Sequence, residues 1–200
     1  MAISATQVKE LRDMTGAGFM ECKTALAEAE GNVDKAVTVL RTKGQAKATK
    51  RAGRTTAEGL IGHYIHQGSQ VGVLVEVNCE SDFVARTDDF QTLVKEISMH
   101  IASANPLCIR REEVAGDDLE RERDIVRAQF KALNKPPQVI EKIVEGKLNS
   151  YYEQVALLDQ PSIRDPKTTI GQMVTAAIAK LGENITVARF ARFKVGETTE

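Results

Sequence analysis

Val71-Gly-Val-Leu-Val-Glu-Val-Asn-Cys-Glu-Ser-Asp-Phe-Val-Ala-Arg86 is the stretch on which the reading of this chain turns. Every odd position from Val71 to Val77 is valine, the period-two pattern of a half-buried strand. The strand runs into a polar turn that presents Ser81, Asp82, Phe83 and Val84 together, and an amphipathic helix begins near Asp88. A large apolar ring beside a carboxylate at a strand-to-helix turn is unusual, and loops on a rigid scaffold are where function concentrates. The turn reads as a probe pushed into a partner. The alternative is that Phe83 tucks into the core under the following helix.

Upstream, Leu60 to His66 is strand-like and reaches Val71 through Gln67-Gly-Ser-Gln70, which predicts a hairpin. His63 and His66 are three apart and face opposite ways in a strand, so a paired metal site is disfavoured, whereas His66 beside the turn suits a partner contact. Downstream, Phe90, Leu93, Val94, Ile97 and Ile101 form one helical stripe that ends at Asn105-Pro106. Asp117 to Asn134 is a charged helix with a thin stripe of Leu119, Val126, Phe130 and Leu133. Lys135-Pro-Pro137 forces a turn, and Val139 to Leu148 returns as a second helix, making a projecting hairpin. Thr168 or Thr169 caps a last helix carrying Ile170, Met173, Val174, Ala177, Ile178 and Leu181, which Gly182 closes. A final strand spans Asn184 to Val195. Arg189 and Arg192 fall on opposite parities within it, which predicts a bulge or twist.

At the other end, residues 1–44 read as three short helices. Ser4 caps the first, Thr15-Gly-Ala-Gly18 separates it from the second, Gly31-Asn32 ends the second and Gly44 stops the third. The pattern resembles the ubiquitin-associated fold. Met14, Phe19 and Met20, at the loop, are either core or partner contacts; Phe19 and Met20, two large apolar groups, are the harder to bury in so small a bundle and are the candidate contacts. Lys43, Lys47, Lys50, Arg51 and Arg54 then make a basic stretch without an acid until Glu58, read as a linker helix that either meets an acidic or phosphate surface or is a solvated connector. The predicted fold class is α+β. It comprises a helical bundle over 1–44, a basic linker helix over 45–57, and a core over 58–200 in which a small antiparallel sheet packs with helices and carries a helical hairpin at about 117–150.

Composition narrows the function. Of 200 residues 42% are hydrophobic but only 4% aromatic, with no Trp, so the core is aliphatic and Phe83 stands out. A net charge of −1 gives no global field for nucleic acid or membrane. Cys22, Cys79 and Cys108 are scattered and odd in number, which fits a reducing cytoplasm, and neither a signal peptide nor a membrane-length apolar run is present. There is no P-loop, no nucleophile elbow and no zinc-binding helix motif, and Gly16-Ala-Gly18 lacks the rest of a dinucleotide fingerprint. Cys79 has no identifiable base. The reading is a protein-binding factor without covalent chemistry, cofactor or metal.

Taken together, Val8-Lys-Glu-Leu-Arg12, Thr15-Gly-Ala-Gly18, Met20-Glu-Cys22-Lys23 and Asn78-Cys-Glu-Ser-Asp-Phe-Val-Ala85 resemble the bacterial translation elongation factor Ts family. His100-Ile-Ala102, Gly146-Lys-Leu148, Gln160-Pro161 and Gly182-Glu-Asn-Ile185 match in the same order, so the similarity covers about residues 3–196. The resemblance implies a nucleotide exchange factor that binds elongation factor Tu in its GDP-bound and nucleotide-free forms. It assigns displacement of the partner's Mg2+ to Ser81, Asp82, Phe83 and Val84, and gripping of the partner to Arg12, Phe19 and Met20. Ser81 stands where the family has Thr, keeping the hydroxyl, and Phe19 stands where Met is common. The chain looks like a short member with one core, and short members look like homodimers. Two rival readings differ in class. One is an adaptor in which residues 1–44 carry all binding, and the other is an RNA-binding factor using residues 43–54, which lacks an aromatic stacking platform.

Overall fold

The structure is a computed structural model that describes residues 3–131 and 136–197. Its class is α+β: among the described residues, eight α-helices accompany a three-stranded antiparallel sheet of order β1-β2-β3. The chain divides into two compact units, and each is described by itself. The first comprises the described parts of Met1–Leu60, Glu76–Val94 and Met173–Thr186; the second those of Ile61–Val75, Lys95–Gln172 and Val187–Glu200.

In the first unit, α1 (Ala5–Thr15), α2 (Phe19–Glu28) and α3 (Val33–Arg51) form a bundle around Val8, Leu11, Cys22, Ala25, Leu26, Ala29 and Ala36. Ser4 caps α1 in a reciprocal box with Gln7, as its residue type predicts. Gly16 ends α1 at φ 66°, a left-handed conformation that glycine adopts without steric cost. The expected stop at Gly44 is not there: α3 runs on to Arg51. A glycine marks a helix end when its backbone turns left-handed, but Gly44 keeps helical geometry. It is buried there, and a Cβ would lie 3.5 Å from that of Ala179. The basic stretch is therefore mostly the second half of α3. It is held to α2 by ion pairs of Lys43 with Glu28, at 2.6 Å, and of Lys47 with Glu21.

Strand β1 (Glu58–Ile65) and β2 (Val71–Cys79) make the expected hairpin, with Gly68 and Ser69 at positive φ in its turn. Where β1 passes the end of β2, Gly59 approaches so closely that a Cβ would sit 2.3 Å from the Val77 carbonyl oxygen. Val73, Val75, Val77 and Cys79 are all buried, which confirms the period-two reading of β2. After a short helical turn, α4 (Asp82–Ala85), helix α5 (Asp88–Ala104) buries Phe90, Leu93, Val94, Ile97 and Ile101 as its stripe predicts.

In the second unit, α6 (Gly116–Lys131) and α7 (Pro137–Val155) pair through Val126, Val144 and Leu148, with Leu119, Phe130, Ile140 and Ile143 packed around them. The expected turn at Lys135 and the stripe position Leu133 lie outside the described residues. Helix α7 is longer than Val139 to Leu148 because no Gly or Pro after Gly146 interrupts it before Pro161, and Val155 is buried at its end. Buried His100 bonds Gln160 at 2.9 Å. Thr169, rather than Thr168, caps α8 (Ile170–Leu181), in a reciprocal box with Gln172. In β3 (Ile185–Lys194) the more buried positions change parity along the strand, from 185 and 187 to 190 and 192. That shift is why Arg192 is half-buried, bonding the Ala102 carbonyl, while Arg189 is exposed.

Candidate functional site

The turn after β2 is built from its first residue. Ser81 is extended, at φ −132°, and its side chain accepts from the Val84 N–H, so Asp82–Ala85 closes as one helical turn rather than an open loop. Ala85 is buried and anchors the turn. The Thr87 hydroxyl donates to the Val84 carbonyl at 2.7 Å and accepts from the Phe90 N–H at 3.3 Å, joining the turn to α5. Phe83 does not tuck under α5: its ring is 80% exposed. Phe90 fills the core position instead. Asp82, the residue before Phe83, pairs with Arg86 one turn on, at 2.8 Å.

The strongest support for the turn comes from Glu183, between α8 and β3. Its carboxylate accepts from the Glu80 N–H at 3.1 Å, the Ser81 N–H at 3.0 Å and the Ser81 hydroxyl at 2.5 Å. Glu80 answers in kind, accepting from the Asn184 N–H at 2.6 Å and pairing with Arg54 at 3.4 Å, while the Asn184 amide donates to the Arg54 carbonyl. The end of β2 and the start of β3 are thus locked by two carboxylates, each serving the other strand's backbone. Sequence reading gave Glu183 no role, since it lies 102 positions from Ser81. Its one signal is membership of the Gly182-Glu-Asn-Ile185 motif. The Cys79 thiol points its hydrogen at the Ser81 carbonyl, and burial, with Glu183 nearby, raises its pKa. A thiol so held stays protonated and serves the turn as a donor, not as a nucleophile.

The N-terminal candidates gather at the other exposed turn of the same unit. Arg12, Met14, Phe19 and Met20 are all exposed around Thr15-Gly-Ala-Gly18, with Met14 and Met20 each at 66%. The turn beneath them is fixed. Thr15 bonds back to the Leu11 carbonyl, and the Glu21 carboxylate accepts from the Gly18 N–H. The Lys47 ammonium, donating to Glu21, lowers that carboxyl's pKa against a smaller opposing effect of burial. A Cβ on Gly16 would meet Lys180 of α8 at 3.6 Å, and Lys180 pairs with Asp89 of α5. His66, in contrast, belongs to the second unit, exposed at the hairpin turn and bonded to the Tyr64 hydroxyl through Nδ1 at 3.0 Å. Among the described residues no group of three or more His, Cys, Asp or Glu is placed to hold a metal ion, and no helix is long and apolar enough to cross a membrane.

The geometry is thus two small, stiffly backed turns that each expose large apolar side chains. Such surfaces suit contact with a protein partner. The family model described as Elongation factor TS matches residues 5–197. The chain is 56% identical to an elongation factor Ts of Solibacter usitatus, over 98% of this chain and 92% of that relative. It is 56% identical to one of Fervidobacterium nodosum, over 98% of this chain and all of the relative. It is 55% identical to one of Caldanaerobacter subterraneus, over 99% of each. With the match running through both exposed turns and nearly end to end, the chain belongs to the elongation factor Ts family.

Proposed function

We propose that the chain is a guanine nucleotide exchange factor for elongation factor Tu, acting in the cytoplasm in the elongation cycle of protein synthesis. It works by binding alone and makes or breaks no covalent bond. The observation that carries the reading is Phe83, four-fifths exposed at the tip of a turn whose backbone is tied down on both sides. A magnesium site requires near-ideal octahedral geometry and tolerates little displacement. A rigid ring is a wedge that covers about 150–250 Å². Inserted near the partner's metal, Phe83 shifts the groups that orient its ligands, while Asp82 bonds partner groups or repels the phosphates and Val84 completes the turn. Ser81 shapes the turn. Burial of one ring supplies roughly 1.5–3 kcal/mol, enough for about a tenfold to hundredfold faster release. The grip of Arg12, Phe19 and Met20 supplies the remainder, and His66 adds a contact from the hairpin.

In this proposal the division is one of labour. Residues 1–44 grip the partner, the rest of α3 with the segment to residue 57 connects, and 58–200 carry the turn and pair with a second copy of the chain. The RNA-binding alternative loses ground because Lys43, Lys47 and Arg54 are engaged with Glu28, Glu21 and Glu80. Reciprocity adds a condition: a factor that weakens nucleotide binding is weakened equally by nucleotide, so the complex is tightest with an empty partner.

The test is stopped-flow release of a fluorescent GDP from elongation factor Tu, comparing this protein with Phe83→Ala. Accelerated release that Phe83→Ala largely loses while still binding supports the wedge. Equal acceleration by both moves the mechanism to the N-terminal bundle, and no acceleration by either ends the exchange reading.

A further inference from the structure

We infer that Glu183, distant in sequence from the turn, is its positioning residue: its carboxylate sets the angle at which Phe83 leaves the body. This rests on the exchange reading above. Three donors converge on this one side chain, the N–H groups of Glu80 and Ser81 and the Ser81 hydroxyl, at 3.1, 3.0 and 2.5 Å. A carboxylate fits because one oxygen takes both N–H groups and the other takes the hydroxyl; a carboxamide of the same shape loses the charge and turns an NH2 to the Ser81 hydroxyl, which must then accept instead of donate. Bonds to a charged acceptor are the shorter and stronger kind. The two N–H groups belong to the last residues before α4, where a small rotation of the backbone swings the whole turn. Ser81 cannot do this alone. Its hydroxyl already serves the Val84 N–H, so its orientation is itself set by the bond it donates to Glu183. Glu183 touches no partner group in this account and acts through the placement of Phe83.

That role separates from a merely structural one by coupling. Glu183→Gln and Glu183→Asp are compared with the wild type in the GDP-release assay, singly and combined with Phe83→Ala, at saturating and half-saturating factor. The expected result for Glu183→Gln is a roughly tenfold lower maximal release rate, the scale of a lost bond to a charged group, with little change in the half-saturating concentration. Glu183→Asp retains part of the rate. On top of Phe83→Ala, Glu183→Gln costs less than about twofold, because the ring it aims is gone. A wild-type rate in Glu183→Gln, losses that multiply in the double variant, or an effect confined to half-saturation overturns the inference while leaving the exchange reading intact. If Glu183→Gln does not fold, Glu183→Asp, which keeps the charge and shortens the reach, carries the test; a smaller loss that vanishes beside Phe83→Ala supports the inference, and a wild-type rate overturns it. If the wild type releases no GDP, the exchange reading has failed. Amide hydrogen exchange at Glu80 and Ser81 then decides: faster exchange in Glu183→Gln supports the clamp, and unchanged exchange overturns it.

Discussion

Phe83 and Phe90 are the same residue type a few positions apart, and the fold treats them oppositely. Phe90 is fully buried and Phe83 almost fully exposed. Phe90→Ala is expected to cost about 3–5 kcal/mol of stability, the usual price of a buried ring. Phe83→Ala is expected to stay within about 0.5 kcal/mol. Denaturant unfolding of both variants checks the pair, and a large loss in Phe83→Ala would mean that the ring is core after all. His100 makes a second residue-scale prediction. Burial lowers its pKa from 6.5, the bond its Nε2–H donates to the Gln160 amide oxygen opposes this only in part, and its Nδ1 has no hydrogen-bond partner among the described residues. The unfolded chain therefore takes up the proton first. Just below pH 6.5 it binds more protons than the folded chain, so stability falls as pH drops through that range. Thermal melts between roughly pH 5 and 7.5 should show the fall in the wild type, and His100→Gln should lose that part of the slope.

At the scale of elements, helix α3 offers the clearest case. Gly44 is in ordinary helical geometry, and a Cβ there meets Ala179 at 3.5 Å, a normal van der Waals distance. Gly44→Ala is therefore expected to stabilise the protein by about 0.5–1 kcal/mol, through helix propensity and a less disordered unfolded chain. A loss of stability in chemical denaturation would show that the contact with α8 is tighter than that distance implies. The same glycine shows what the sequence makes legible. The stripe of Phe90 to Ile101 and the alternation of β2 were readable because each element carries its own periodicity. Gly44 misled because a glycine after an apolar run signals a helix end unless a neighbour from elsewhere takes up the space beside it, and Ala179 is too far along the chain for any local pattern to reveal. The exposure of Phe83 was legible because a large ring directly after Ser81-Asp82 breaks both periods. Glu183 was not, since a carboxylate at a helix-to-strand junction looks like any solvated acid until the fold brings Ser81 to it.

At the scale of the molecule, the proposed second copy has a candidate surface. Ile61 and Ile65 of β1 and Leu74 of β2 are exposed. Ile65 lies over Gly72, which shares its face of β2 with Leu74, opposite the buried valines. Phe193 and Val195 near the end of β3 are exposed as well. Sedimentation is expected to give a dimer for the wild type and a monomer for an Ile65→Lys, Leu74→Lys double variant. A wild-type monomer at micromolar concentration would remove dimerisation from the proposal. Charge contributes little here, since a net charge of −1 gives such copies almost no mutual repulsion to overcome.

An aromatic ring left in water is also a hazard, because any greasy surface in a crowded cell is a potential landing place for it. The Asp82–Arg86 pair, which begins one residue before Phe83, is expected to filter those encounters. A surface that swallowed the ring would have to strip water from both charges at once, and a featureless apolar patch offers them nothing in return. Only a site that is greasy at one point and polar a few ångströms away can accept the whole turn. The same ion pair that looks like an idle surface ornament would thus serve as a sieve against adhesion, and its removal is expected to make the protein stickier before it makes it less stable.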